Sequence, residues 1–339
     1  MKKVLLATSA LMLVAGAAAA EVKITGYAEM GVFGVNSDDN ANDVDTQFHT
    51  DIDATFKMSG ETDGGIAFGA DVDIDEGIAD GGDAVDVDSE HGGAAFFVKA
   101  GAATLSMGDV NGAVDQYFKE YIGVHGGSLQ DNEETVAYNG FSRGGENFDV
   151  LDDGLDGLYD GQIARLDYSL DAISFGVSVE LDDANDGGDP LYGIGAKYSA
   201  ELGGLDLTLG AGYQTVEKAT GDQYTALGVS LEVGLAGGLD LILAYGNGDL
   251  DAASGSAFSD DTVTGYGIGL GYSFDAVSLG VSYGTTESDT LDQSKSGYAI
   301  TAGYDLGGGL ALQAGYGFND DEVADEEYST YSFGVAMSF

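Results

Sequence analysis

The sequence predicts an all-β fold, a sixteen-stranded antiparallel transmembrane β-barrel with a long third loop folded into the lumen. The first observation is strict alternation of large apolar and small residues, as in "GYGIGLGYSF" (265–274), because successive strand side chains point to opposite faces. The second is the alternation of short glycine turns with long acidic loops, which is typical of membrane barrels. The third is the final segment, "YSTYSFGVAMSF" (328–339), whose apolar stripe would aggregate in water.

The alternation recurs along the chain and predicts where each strand lies. An even number of strands allows the first and the last to pair, and that closure removes the unpaired edges that lipid does not tolerate. The apolar rows, including the one that ends at Phe339, are predicted to face lipid. The sixteen predicted strands are 22–35, 46–58, 64–75, 91–100, 102–108, 162–170, 172–181, 190–201, 205–216, 223–234, 239–249, 263–275, 276–287, 295–305, 309–319 and 327–339.

A soluble β-sandwich, whose apolar faces would meet in a core, is the alternative explanation of the alternation. Two observations favour the barrel. The faces opposite the apolar rows carry glycine, serine and acidic residues rather than the lysine-rich mixture of a solvated sheet. The connections also differ in length, since "LGGL" (202–205) is a tight turn whereas "NGDLDAASGSAFSDDT" (247–262) is a long acidic loop.

The first twenty residues predict export. "MKKVLLATSALMLVAGAAAA" has two lysines, an apolar run and small residues at Ala18 and Ala20, which is the pattern of a secretory signal peptide cleaved before Glu21. An amino-terminal membrane anchor fits less well, because a spanning helix needs about 20 apolar residues. The expected organisation is a signal peptide at 1–20 and a transmembrane β-barrel at 21–339.

Composition restricts the classes of function. The formal net charge is −48, which disfavours nucleic acid as a partner because such binding relies on cationic contacts to phosphate. The chain has no cysteine and three histidines, so it offers little for a nucleophile and base, and we expect no enzymatic activity. A single proline and 44% hydrophobic residues argue against a disordered chain.

One connection is far longer than the others. Residues 109–161 separate two predicted strands and contain twelve acidic residues against Lys119 and Arg143. A loop of this length is uncommon, and its apolar residues, among them Val114 and Phe118, favour a segment that packs against a surface. Because a sixteen-stranded barrel encloses a wide channel, we predict that this loop folds inward and narrows it to a constriction.

The chain resembles the general diffusion porins of Rhodobacter-type alphaproteobacteria. The resemblance rests on "EVKITGYAEMGV" after the cleavage site, "MSGETDGGIAFGA" across the second and third strands, "LSMGDVNGA" entering the long loop, and "YDLGGGLALQAGY" near the end. It implies a homotrimeric barrel in the outer membrane, without a required cofactor, through which small hydrophilic solutes and ions diffuse passively. It also implies contact with outer-membrane lipid and lipopolysaccharide, and recognition of Phe339 by the barrel-assembly machinery.

In this family, acidic loop residues face basic side chains of the barrel wall across the pore constriction. The corresponding loop acids are Asp115, Glu120, Asp131, Glu133 and Glu134. The corresponding wall cations are Lys23, Lys57, Lys99 and Arg165. Strand acids that share the parity of the polar face, and are therefore predicted to line the lumen, are Asp51, Asp53, Asp71 and Asp73. Because cations are few, the summed charge predicts a cation-preferring channel.

Acidic loops are candidates for loose Ca²⁺ or Mg²⁺ sites, since carboxylate oxygens are the ligands that these cations prefer. A solvated acidic loop explains the same residues equally well. The candidate ligands are Asp182, Asp183, Asp186 and Asp189. Two further functions stay open at this point: a substrate-specific outer-membrane channel, and a calcium-binding adhesin or structural barrel of the outer membrane.

Overall fold

A computed structural model describes residues 20–38, 43–76, 93–119, 126–129, 141–143, 146–148, 151, 154–159, 162–181, 188–219, 221–251, 261–289, 292–322 and 325–339. Within these residues, sixteen strands pair antiparallel in one closed barrel. Neighbouring barrel strands pair in chain order, and the first strand pairs with the last. The predicted fold class, a sixteen-stranded antiparallel β-barrel, is therefore confirmed.

The barrel strands match the sixteen predicted segments, with ends within three residues of those expected. They are β1 (Glu21–Ser37), β2 (Val44–Glu61), β3 (Ile66–Glu76), β4 (Ala94–Ala100), β5 (Ala103–Gly108), β8 (Ile163–Leu170), β9 (Ile173–Glu180), β10 (Leu191–Leu202), β11 (Leu205–Glu217), β12 (Gln223–Leu235), β13 (Leu239–Asp251), β14 (Asp261–Phe274), β15 (Val277–Ser288), β16 (Gln293–Gly307), β17 (Leu310–Asp321) and β18 (Glu326–Ser338). Between β5 and β8 lie the helix α1 (Ala113–Tyr117) and a short hairpin of β6 (Phe141–Arg143) and β7 (Glu146–Phe148). In the described part of the chain, no helix is long and apolar enough to cross a membrane.

The barrel closes where β1 pairs with β18, and we call this pairing the seam. Gly31 is the Cα partner of Gly334, and Tyr27 is the Cα partner of Ser338. Beyond the last pair, the N–H of Phe339 donates to the carbonyl of Gly26 at 2.8 Å. The first and last barrel strands are therefore joined by backbone hydrogen bonds, and among the described residues no strand of the barrel is left with an open edge.

Each strand carries two rows of side chains that differ in exposure. On β14 the outer row includes Ile268, Leu270 and Tyr272, which are 40%, 44% and 43% exposed. The alternate positions of the same stretch are glycine and serine. Large apolar side chains with this much exposure need an apolar medium, as a barrel whose outer row faces lipid provides. We call the opposite row of every strand the inner row.

The connections differ between the two ends of the barrel. At one end they are short: Gly203 and Gly204 join β10 to β11 with φ of +64° and +86°, values that glycine adopts without steric cost. We call this end the turn end. The longer connections, including the segment between β5 and β8, are at the other end. This asymmetry is the one expected of an outer-membrane barrel.

Candidate functional site

Part of the segment between β5 and β8 lies against the inner row. Helix α1 contacts β9, β10 and β11, and Val114, Tyr117 and Phe118 are buried. The wall presents glycine at this contact: a Cβ on Gly212 would lie 2.6 Å from Val114 Cα, and one on Gly210 would lie 2.1 Å from the Tyr117 carbonyl oxygen. Any larger residue would displace the segment, so the inner-row glycines are what admit it.

Inner-row serines bind the backbone of the same part of the segment. The N–H of Ala113 donates to Ser178 Oγ at 2.9 Å, and the N–H of Lys119 donates to Ser230 Oγ at 2.9 Å. The first N–H groups of a helix have no partner within the helix, and the N–H of Lys119 follows the last helical hydrogen bond, from Phe118 to Val114. The serines supply these partners, so the small residues opposite the apolar rows have a specific role in seating the segment.

The part of the segment that leads back to β8, residues 154–159, is held by a buried carboxylate. We call these residues the return limb. Glu180 of β9 is fully buried. Its Oε2 accepts the N–H of Gly157 at 3.2 Å and its Oε1 accepts the N–H of Tyr159 at 3.1 Å. Hydrogen bonds to an ionised acceptor are the stronger kind, so Glu180 anchors the return limb to the wall.

Gln214 of β11 joins the return limb to the start of α1. Its Oε1 accepts the N–H of Leu155 at 2.8 Å, and its Nε2 donates to Asp156. Asp156 Oδ2 in turn accepts the N–H of Gly112 at 2.7 Å. Gln214 is fully buried, so both of its amide atoms are used to fix the segment at two points.

An apolar cluster lies between the segment and the inner row of β10 to β14. The segment contributes Val114, Phe118, Leu151, Leu155 and Tyr159. The strands contribute Leu191, Val216, Ala226, Ile242, Ala244 and Val263. Burial of apolar surface contributes about 25 cal/mol per Å² of free energy. The cluster therefore stabilises the seated segment in addition to the hydrogen bonds. This part of the inner wall is covered by protein rather than by water.

Three of the predicted wall cations are exposed on the inner row. Lys23 and Lys57 are Cα partners across β1 and β2, and Lys57 is also the Cα partner of Asp71 on β3. Lys99 lies on β4, one residue before that strand ends. All three lysines are exposed and lie within a few residues of the turn end.

The fourth predicted wall cation, Arg165 of β8, is buried and paired. Its Nε lies 3.0 Å from both carboxylate oxygens of Asp167, and its guanidinium also donates to the carbonyl of Asn111. The hydroxyl of Tyr117 donates to Asp167 Oδ1 at 2.9 Å. Burial and the hydrogen bond to the Asp167 carboxylate raise the pKa of Tyr117. Arg165 and Asp167 therefore hold the start of the segment, and each offsets the charge of the other.

Carboxylates are concentrated on the inner row of β2 and β3. The four strand acids predicted to line the lumen are half-buried there: Asp51, Asp53, Asp71 and Asp73. The Cα partner of Asp51 on β1 is Glu29, which is 4% exposed and lies 3.4 Å from Nε2 of the buried His49. The grouping makes the local potential negative on this side of the lumen.

The predicted loop acids are only partly described. Asp115 is half-buried in the first turn of α1. The other four lie outside the described residues: Glu120, Asp131, Glu133 and Glu134. The contacts of the described segment parts, at 109–119, 126–129 and 154–159, are with inner-row positions of the wall.

Of the four predicted cation ligands, Asp189 alone lies within the described residues. The N–H of Asp189 donates to the carbonyl of Glu217 at 2.8 Å, and its own carbonyl accepts the Tyr159 hydroxyl at 2.9 Å. Asp182, Asp183 and Asp186 lie outside the described residues. Among the residues that are described, no group of three or more histidine, aspartate or glutamate side chains could hold a metal ion.

Two kinds of residue at the site were not found from the sequence. Glu180 and Gln214 look like ordinary polar lumen residues, and their buried position is visible only once the segment is seated on them. The apolar inner-row residues had a signal, because Val216 and Ile242 place branched apolar side chains on a face that is otherwise small or polar. An apolar residue at polar parity indicates that something apolar covers it.

The family model of the Gram-negative porins matches residues 7–324. The chain belongs to the Gram-negative porins.

Known porins share its sequence and its architecture. The porin of Rhodobacter capsulatus is 27% identical over an alignment of 329 residues that covers 90% of this chain and 98% of that one. A porin structure refined at 1.8 Å resolution matches with a TM-score of 0.69 and 23% identity, over 94% of this chain and all of that chain. The anion-selective porin of Comamonas acidovorans matches with a TM-score of 0.65 and 13% identity, again over 94% of this chain and all of that chain. The protein is thus an outer-membrane porin channel, as its resemblance to the Rhodobacter-type porins predicted.

Proposed function

We propose that this porin is a water-filled channel for passive diffusion of small hydrophilic solutes and ions, and that it prefers cations. The observation that carries the proposal is the group of half-buried inner-row carboxylates on β2 and β3. Among the inner-row cations, Arg165 is paired with Asp167 and Lys295 lies 3.0 Å from Asp321. The carboxylates on the inner row of β1 to β3 outnumber the exposed lysines Lys23, Lys57 and Lys99. A low-dielectric wall focuses such a field and raises the local concentration of cations.

Ion selectivity under a salt gradient tests this proposal. Purified porin in a planar bilayer, with KCl at different concentrations on the two sides, should give a reversal potential whose sign reports K⁺ preference. The preference should shrink as salt rises, because the Debye length falls from about 10 Å at 0.1 M to about 3 Å at 1 M. A chloride preference at low salt would refute the proposal.

Variants assign the preference to particular carboxylates. Replacement of Asp51, Asp53, Asp71 and Asp73 together by asparagine should lower the K⁺ preference while leaving the barrel folded. Glu217→Gln is the matched control, since Glu217 is an exposed carboxylate on the outer row of β11. If the control changed selectivity as much as the fourfold variant, the selectivity would come from the overall charge of the protein and not from the lumen wall.

The constriction is proposed to be the segment at 109–161. The support is that its described parts contact inner-row residues on strands from β8 to β18 and on β1. The loop acids named above would then face the exposed lysines Lys23, Lys57 and Lys99. Uptake of neutral sugars of increasing size into liposomes measures the exclusion limit, which should rise when the segment is shortened. An unchanged limit would contradict the proposal.

Assembly as a homotrimer is proposed to use the outer face from β18 through β5. Outer-row tyrosines are absent from the described residues of β1 to β5, where the outer-row aromatic side chains are phenylalanines such as Phe48, Phe68 and Phe96. Outer-row methionines are also found on that face: Met30, Met58, Met107 and Met337. Methionine is flexible and suits contact with another protein surface. A second and a third copy of the chain would cover this face in place of lipid.

Bulky substitution distinguishes this face from the rest of the outer row. Met30→Trp should weaken the trimer, whereas Ile300→Trp, on the outer row of β16, should leave it intact. Both side chains are about half exposed in the isolated chain, at 53% and 51%. Light scattering of the detergent-solubilised porin gives the mass of the oligomer. Equal effects of the two substitutions would remove the support for this interface.

The remaining parts of the proposal concern export and surroundings. The family and the barrel fold place the protein in the outer membrane. We infer that residues 1–20 are removed as a signal peptide, so that the mature chain begins at Glu21, and amino-terminal sequencing checks this. Outer-membrane lipid and lipopolysaccharide would surround the outer row, and the assembly machinery would bind the strand that ends at Phe339.

A further inference from the structure

Four consecutive residues of the lumen segment, "GGSL" at 126–129, contact five consecutive strands of the wall, from β15 to β1. We call these residues the clasp. On β15, Ser278 Oγ donates to the Gly126 carbonyl at 3.5 Å. The first two residues of the clasp are glycines with φ of +108° and +136°. A Cβ on Gly126 would lie 2.2 Å from Thr301 Oγ1 of β16, and one on Gly127 would lie 2.4 Å from Gln313 Nε2 of β17. Both the backbone conformation and the lack of space require glycine here.

Leu129 completes the clasp on β18 and β1. Its N–H donates to Ser332 Oγ of β18 at 3.1 Å, and its side chain is 1% exposed. A Cβ on Gly31 of β1 would lie 2.5 Å from Leu129 Cδ1, and one on Gly334 of β18 would lie 3.0 Å from the same atom. Leu129 therefore occupies a notch whose floor is two glycines.

The notch lies across the seam. Gly31 and Gly334 are Cα partners in the pairing of β1 with β18. They come from opposite ends of the chain, so the notch does not exist until the first strand has paired with the last. A leucine seated in it contacts both strands, and its burial favours the state in which they are paired.

We propose that Leu129 is a positioning residue that couples the seating of the lumen segment to closure of the barrel. The segment can seat its clasp only on a closed seam, and the seated clasp in turn stabilises the seam. Partial opening should therefore begin at β1 and β18 when the clasp is released, because proteins open locally where stabilising contacts are fewest. The inference goes beyond channel activity and does not depend on the ion preference proposed above.

The chain provides a matched control for this inference. Leu155 is also a buried leucine of the lumen segment, at 3% exposure, but it packs in the apolar cluster on β10 to β14. Leu129→Ala and Leu155→Ala remove the same atoms from the same segment. Only the first removes a contact that spans the seam.

Hydrogen exchange followed by mass spectrometry measures local opening in the full-length folded porin without reference to conductance. In Leu129→Ala, the amides of β1 and β18 should exchange at least about tenfold faster than in the wild type, because truncation of a buried leucine is among the costly core substitutions. The amides of β12 and β13 should be unchanged. In Leu155→Ala, the return limb should exchange faster, and the seam should not.

A second variant keeps the test decisive if Leu129→Ala is not recovered as a folded barrel. Ser332→Ala removes the acceptor of the Leu129 N–H while leaving the notch, so it should accelerate exchange at the same strands by a smaller factor. Unchanged exchange at β1 and β18 in both variants would overturn the proposal. Equal acceleration of the seam by Leu155→Ala would also overturn it, because the effect would then reflect loss of packing anywhere in the segment.

Discussion

Replacing Glu180 by glutamine should loosen the return limb with almost no change in side-chain size. The two carboxylate oxygens each accept one backbone N–H, from Gly157 at 3.2 Å and from Tyr159 at 3.1 Å. Glutamine has a single acceptor oxygen, and its NH₂ group is itself a donor. One of the two backbone N–H groups would therefore face another donor in a site where Glu180 has no exposure to water.

The expected cost follows from those two bonds. Hydrogen bonds to charged groups are worth about 1.5–3 kcal/mol each, and a buried donor left without an acceptor costs about 1–3 kcal/mol. Losing one bond and weakening the other should destabilise the seated return limb by about 2–5 kcal/mol. Since 1.4 kcal/mol is about a factor of ten, the unseated population should rise at least roughly thirtyfold.

Hydrogen exchange of residues 154–159 measures the population in which the return limb is unseated. The noise of the single-channel current measures the effect of that population on conduction. Glu201→Gln is the matched control, because Glu201 is an inner-row carboxylate of β10 that is exposed to solvent. We expect faster exchange and a noisier current in Glu180→Gln and neither in the control. Wild-type exchange at the return limb in Glu180→Gln would show that the two hydrogen bonds do not hold it.

Three further outcomes are expected. Leu270→Arg, on the outer row at mid-membrane, should lower barrel stability by about 2–4 kcal/mol. Gly269→Ser, on the inner row, should lower it much less. Equally small losses of stability in denaturant titrations of the two variants would contradict a lipid-facing outer row. Deletion of Phe339, whose N–H bonds to Gly26, should lower the protease-resistant fraction in outer-membrane preparations, and an unchanged fraction would count against its role in assembly. The pKa of Tyr117 is raised in the folded protein above its ordinary value of 10.0. Stability that is present below pH 10.0 should therefore be lost as the pH rises above that value, because the unfolded chain loses the tyrosine proton first. Tyr117→Phe should reduce this loss in hydrogen-exchange experiments at alkaline pH, and an unchanged pH profile would refute the assignment.

The fold could be predicted from the sequence because the two faces of each strand meet different surroundings, so the residue type alternates between apolar and small or polar at every second position. "GYGIGLGYSF" lies within β14, and the final stripe to Phe339 lies on the strand that closes the barrel. Neither inference needed long-range information, since the side-chain period of two is a local property. The ends of strands were less certain, and β4 begins at Ala94 whereas residue 91 was expected, because where pairing stops depends on the partner strand.

The site could be predicted only in outline. That the long segment is apolar enough to pack was visible in Val114 and Phe118. The part of the wall on which the segment packs could not be predicted. Glu180, Gln214 and the inner-row glycines acquire their roles only from contacts with residues far away in the chain. Arg165 shows the same limit: its pairing with Asp167 on its own strand was not predicted from the sequence, and its approach to the loop acids stays a prediction.

The two anchors of the lumen segment differ in physical character, and this predicts different sensitivities. On β9 to β14 the segment is held by an apolar cluster and by the buried carboxylate of Glu180, so single substitutions there remove one of several contacts. On β15 to β1 the clasp is held by one leucine, close glycine contacts and hydrogen bonds to Ser278 and Ser332. In the described part of the segment, the clasp contributes one buried apolar side chain, Leu129, against the five that the segment adds to the apolar cluster. The clasp contacts also bridge β1 and β18, so the clasp should release before the residues of that cluster do. A porin built in this way would change its lumen at the seam side first, while the β10 to β14 side stays closed to water.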